Sequence, residues 1–144
     1  MTVAAKTTLG AALWMVASGG TLVKVAELIT INPPKLSRET MDATTHDSPG
    51  AAMEVIAAGI YDPGEVTGQI HYIAASAGDL AFLAAGIGGL QDFKCVVKGA
   101  AATQDITFSG FVTAYGPDDM PTSGKQTASF SIKVSGPRAQ GASV

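Results

Sequence analysis

His46 and Asp47 stand side by side, and a histidine paired with a carboxylate is a common general base. Neighbouring residues on an extended backbone point apart, so adjacency alone makes no dyad. His71, the second histidine, falls on the polar side of a strand-patterned run, with no further nitrogen or thiolate ligand at metal-binding spacing. Both histidines are therefore read as solvated or hydrogen-bonded. Cys95 is the one cysteine and excludes an intrachain disulfide. Its setting, Phe93-Lys94-Cys95-Val96-Val97, predicts a buried, inert thiol.

Gly86-Ile87-Gly88-Gly89 has the composition of a phosphate loop, but such loops open a helix after a strand and this one closes a helix. Asp118-Asp119 offers a cation two carboxylates without further spaced oxygen ligands, which is the pattern of a solvated loop. Ser135-Gly136 lacks the strand-to-helix elbow of a nucleophilic serine. The expectation is a protein that is not an enzyme, with no catalytic residue, metal or cofactor. Five carboxylates, Glu27, Glu39, Asp42, Glu65 and Asp105, lie in or beside predicted strands. They are either charges on the wet face of a sheet or the lining of a channel, and the sequence leaves both open.

The chain that must position these residues has 144 residues, enough for one domain with a real core. Charged residues make up 15%, against roughly 25% in ordinary soluble domains. So few charges imply that Ser, Thr and Gly cover much of the surface or that partners bury part of it. The net charge is −3 and neither sign forms a run, so the basic stripe of a nucleic-acid reader is missing. Mild acidity suits a surface past which DNA slides, and equally an ordinary acidic protein. The apolar run from Ala11 to Ala17 is too short to span a bilayer. Lys6 followed by Leu9 to Ala17 is a poor signal peptide that continues into a strand, which predicts a cytoplasmic protein.

Ala11–Val16 and Thr21–Ile31 read as strands joined by a tight turn at Ser18-Gly19-Gly20. Asn32-Pro33-Pro34 stops the second, and alternation resumes from Arg38 to Thr45. His46 to Ala58 has no strand period, yet Met53, Val55 and Ile56 make it partly apolar, which predicts a loop that docks on something. Tyr61-Asp62-Pro63-Gly64 is a turn, and Glu65–Ile73 a strand. Ser76 to Gly88 is the one helix, with Ser76 as N-cap and Leu80, Leu83, Ala84 and Ile87 as the face expected to pack on a sheet. Three strands follow over Gln91–Gly99, Asp105–Tyr115 and Gln126–Ser135. In the last, Ala128, Phe130, Ile132 and Val134 point inward. Pro137–Val144 carries no apolar pattern and reads as a flexible tail. The fold class is mainly β, a sandwich or barrel with one flanking helix.

From about Leu13 to Gly136 the order of parts resembles the major tail tube proteins of long-tailed phages. The parts are an early hairpin into Ile31-Asn32-Pro33-Pro34, Asp42-Ala43-Thr44-Thr45 running into a long loop, then Gly59-Ile60-Tyr61-Asp62-Pro63-Gly64-Glu65. The lone helix, Phe108-Ser109-Gly110-Phe111-Val112 and the closing Val134-Ser135-Gly136 complete it. The resemblance implies one tail-tube domain over residues 1–144, with an N-terminal arm (1–10), an inter-ring loop (46–58) and a flexible C-terminal tail (137–144). Copies would form hexameric rings stacked into a smooth hollow tube that conducts DNA during ejection. Met53, Glu54, Val55 and Ile56 would touch the next ring, and the five carboxylates would give an acidic lumen.

The implied partners are further copies, a tape-measure protein, tail-tip proteins and a tail terminator. DNA would pass without specific binding and no membrane would be engaged. The expected location is the virion tail, after synthesis in the host cytoplasm. The alternatives are the inner tube of a contractile tail or type VI-like secretion system and, in another class, a monomeric β-sandwich binding module. The last would want an aromatic cluster, whereas Trp14, Tyr61, Tyr72 and Tyr115 are scattered along the chain.

Overall fold

Ala128, Phe130, Ile132 and Val134 are all buried, and Thr127, Ser129, Ser131 and Lys133 between them reach the other face of strand Thr127–Val134. This period of two builds the protein. The computed structural model describes residues 10–16, 22–24, 28–98 and 103–142. Along the chain run β1 (Ala12–Val16), β2 (Leu22–Lys24), β3 (Leu28–Asn32), β4 (Ser37–Asp42), a 3-10 turn (Pro49–Ala51), β5 (Val55–Asp62) and β6 (Glu65–His71). Helix α1 (Ala77–Ile87) then precedes β7 (Gln91–Lys98), β8 (Thr103–Pro117), β9 (Thr127–Val134) and β10 (Ala139–Ala142). The Ser18-Gly19-Gly20 turn, Glu27 and residues 1–9 of the N-terminal arm lie outside the described residues.

The main sheet is antiparallel in the order β2-β1-β7-β8-β9-β6-β3, with β10 added to β8. Its two ends, β2 and β3, are only three residues apart in sequence. Laid flat, seven strands would separate those ends by about 29 Å. The chain from Lys24 to Leu28 spans at most about 15 Å. The sheet must therefore curl until its ends approach, which makes the sandwich barrel-like. The single strand expected over Thr21–Ile31 is thus corrected to two short strands serving opposite ends of one sheet.

The concave side holds the core: Leu13 and Met15 of β1, Val66 and Ile70 of β6, Phe93 and Cys95 of β7, Ile106, Phe108 and Val112 of β8, and the inward set of β9. Strand β8 has 15 residues, too many for one neighbour. Thr103–Gly110 pairs with β7, Gly110–Pro117 with β9, and a bulge between Val112 and Ala114 absorbs the change. β10 lines up with Gln104–Thr107 of the same strand. The expected flexible tail is corrected accordingly. Ala-Gln-Gly-Ala has no apolar pattern because the backbone ladder to β8, not side-chain burial, holds it.

Helix α1 starts as expected, with the Ser76 Oγ accepting from the Asp79 N–H at 3.2 Å. Its packing face is a second correction. Asp79, Phe82 and Ala85 are buried, while Leu80, Leu83, Ala84 and Ile87 face outward. Phe82 decides the orientation, because its ring stacks on Tyr115 at 4.7 Å and meets Phe130 at 5.1 Å. Both faces of this helix are apolar, so spacing alone could not select between them.

Candidate functional site

Segments 28–42 and 55–70 run antiparallel for their whole length: Leu28 opposes Ile70 and Asn32 opposes Thr67 in the barrel, then Ser37 opposes Asp62 and Asp42 opposes Val55 beyond it. Pro33-Pro34 and Pro63-Gly64 interrupt both sides of the ribbon at one level, where prolines remove ladder donors. Below the break the ribbon is part of the core. Above it, β4 and β5 form a separate two-stranded sheet in which Ala58 alone is even half-buried. The long loop read from the sequence is therefore the outer part of a projecting arm, and β5 begins at Val55 inside it.

The break is tightly built. Gly64 has φ +97, and a Cβ there would collide with the Lys35 backbone, so no other residue fits. The Asp62 Oδ1 accepts from the Gly64 N–H at 2.8 Å and lies 3.1 Å from the Lys133 Nζ. The Gly64 N–H first, and then Lys133, hold the Asp62 carboxyl below its ordinary range. Arg138, just before β10, donates from Nη1 to the Pro34 carbonyl at 2.7 Å. That contact between residues 104 apart had no local signal in the sequence.

The tip is ordered by its own polar groups. Ser48 Oγ donates to Glu54 Oε2 at 2.9 Å and accepts from the Thr45 N–H at 2.9 Å. The Glu54 N–H donates to Thr44 Oγ1, and the Ala43 N–H to the Glu54 carbonyl. Glu54 thus has its carboxylate engaged within the tip, while Met53, Val55 and Ile56 stand in solvent, Met53 at 75% exposure. Met41 lies directly opposite Ile56. Between Arg38 and Thr40 the register shifts, β5 carries two extra residues, and Arg38 Nε meets the Ala58 carbonyl at 2.5 Å. Ile60 in that bulge is 86% exposed.

The five carboxylates do not gather on one surface. Glu39 and Asp42 are exposed on β4 in the arm, where hydrogen bonds from the Thr44 side chain and backbone keep Asp42 below its ordinary range. Glu65 is exposed on β6, opposite Lys133. Asp105 is a correction: it is 7% exposed, Oδ2 lies 3.7 Å from Lys94 Nζ, and Oδ1 has no hydrogen-bond partner among the described residues. Its strand neighbour Ile106 faces the core, so alternation puts Asp105 on the other face, beside Lys94 and Trp14, where Lys94 Nζ lies 5.3 Å from the indole. Glu27 lies outside the described residues.

Elsewhere the outer face of β6 and β9 is a field of neutral polar groups, Thr67 opposite Ser131 and Gln69 opposite Ser129. Asp118 closes its end, accepting from Thr127 Oγ1 at 2.8 Å and Ser129 Oγ at 2.7 Å. Among the described residues, no three His, Cys, Asp or Glu side chains are grouped to hold a metal, and no helix is long and apolar enough to cross a membrane. His46 is exposed in the tip and His71 half-buried at the end of β6.

The curled antiparallel sheet, the one helix against it and the projecting β-ribbon make up one fold. Solved structures share it. The chain superposes on one from the tail of an empty gene transfer agent particle refined with C6 symmetry, with TM-score 0.71, 15% identity, and 91% and 96% of the two chains covered. A chain of the six-fold symmetrised baseplate of the anti-feeding prophage gives 0.74 at 10% identity over 99% and 98%. The SPP1 tail tube gives 0.66 at 13% identity over 96% and 81%. No protein-family model and no curated protein sequence matches the chain.

Proposed function

We propose that this protein is the building block of a hollow tail tube, with six copies in a ring, rings stacked through the arms, and DNA passing through the bore. The observation that carries this reading is the arm. An isolated two-stranded ribbon is marginal in water, and this one exposes Met41, Met53, Val55, Ile56 and Ile60. Such a ribbon makes physical sense when another copy covers it.

The six-fold symmetry of the gene transfer agent tail and of the anti-feeding prophage baseplate supports six copies per ring. Met53, Val55 and Ile56 are the contacts to the next ring, with Glu54 shaping the tip that presents them.

The neutral hydroxyl and amide face of β6 and β9 suits a bore past which a polyanion slides, since it offers no cationic run to hold phosphates. Glu65, exposed on the outer face of β6, supplies the negative charge that faces the DNA. The role is structural rather than catalytic, the partners are tail components at the two ends of the tube, and the location is the virion tail.

Negative-stain microscopy of the purified protein, together with its mass in solution, tests the reading. Rings or tubes with a central hole are the expected result. A protein that stays monomeric when concentrated with tail-tip components overturns it.

A further inference from the structure

Helix α1 and the residues after it, from Ala77 to Leu90, contain one charged residue, Asp79, and that one is buried. The outward side carries Leu80, Leu83, Ala84 and Ile87, continued by Leu90, and Ile87 is 91% exposed. A helix that is apolar all round is normally enclosed on all sides. Here the sheet encloses one side only. The second uncovered apolar surface is the arm, with Met41 and Ile56 facing each other across the two strands.

Resting on the stacked-tube reading, we propose that the Leu80–Leu83–Ile87 stripe is the dock for the Met41–Ile56 part of the arm of another copy. Two features select a second copy as the occupant. The two surfaces suit each other, one a projecting ribbon and the other a fixed ridge, and neither the stripe nor the Met41–Ile56 pair carries a charge that burial would strand. Symmetry selects the pairing. Stripe against stripe, or arm against arm, is a two-fold contact that closes on a dimer, whereas arm against stripe is heterologous and propagates. A tube requires the propagating kind.

Cysteine pairing across copies tests the dock. Ile56→Cys is combined with Ile87→Cys, and separately Met41→Cys with Leu83→Cys, and the assembled material is treated with a mild oxidant. All four positions are exposed, so the fold is retained, and the native Cys95 is buried. The expected result is tubes in which a disulfide joins positions 56 and 87, or 41 and 83, of different copies, while Met120→Cys paired with Ile87→Cys gives none. Ile87→Lys is expected to lower the yield of tubes about ten-fold or more, with the monomer's circular dichroism unchanged. Tubes that form normally without either cross-link, or an undiminished yield from Ile87→Lys, overturn the dock and leave the tube intact. Failure of the unmodified protein to form rings or tubes even when concentrated with tail-tip components overturns both.

Discussion

The Tyr115 hydroxyl donates a 2.6 Å hydrogen bond to the Asp79 Oδ1, and the same carboxylate accepts from the Ala75 N–H through Oδ2 at 2.9 Å. One buried carboxylate thus joins the first turn of the helix to the long central strand. Burial, then the hydrogen bond to Asp79, pushes the Tyr115 hydroxyl well above its ordinary value of 10.0.

Removing that hydroxyl tests the link. Tyr115→Phe keeps the ring stacked on Phe82 but leaves a buried carboxylate oxygen without its donor, which costs about 1–3 kcal/mol. Thermal unfolding should show a Tm several degrees lower. Alkali should act in the same direction. The folded state holds the Tyr115 proton while the unfolded state loses it, so the stabilisation is complete below pH 10 and falls as pH rises further. Tyr115→Phe should abolish that part of the alkaline loss.

The two faces of the helix should separate cleanly in stability measurements. Phe82→Ala removes a fully buried ring between Tyr115 and Phe130 and should cost about 3–5 kcal/mol. Ile87→Ala should change the stability of the isolated subunit by no more than about 0.5 kcal/mol. Denaturant titration of both variants at low concentration checks the contrast.

Acid should loosen the root of the arm. The Asp62 carboxyl is held below its ordinary 3.8, so its ionised form favours the folded break at Gly64 above that pH. The stabilisation is lost as pH falls through the lowered folded value. Amide exchange at Gly64, compared between pH 6 and pH 3 at matched intrinsic rates, should rise in acid, and Asp62→Asn should show the fast exchange already at pH 6.

Cys95 should resist alkylation in the folded protein. Burial, and secondarily the Asp105 charge, push its thiol up to about 11. At pH 8 it should react with iodoacetamide only after denaturant is added, which mass spectrometry of the intact chain would record.

Local patterns in the sequence were enough for the elements whose causes are local. Alternation along β9, the Ser76 cap, the Asp62-Pro63-Gly64 turn, the apolar setting of Cys95 and the exposed Met53–Ile56 segment all depend on near neighbours, and each is legible there. So is the mainly β class with one helix. What sequence could not decide is which of two plausible partners lies opposite. Leu80, Leu83 and Ile87 satisfy the helical period as well as Phe82 and Ala85 do, and the aromatic gap between Tyr115 and Phe130 selects Phe82. Asp105 reads as a surface carboxylate until Lys94 is seen beside it on the neighbouring strand. Ala139–Ala142 has no side-chain pattern, because the free backbone groups of β8 make it a strand. In each case the deciding contact joins residues far apart in sequence, and only the tertiary structure brings them together.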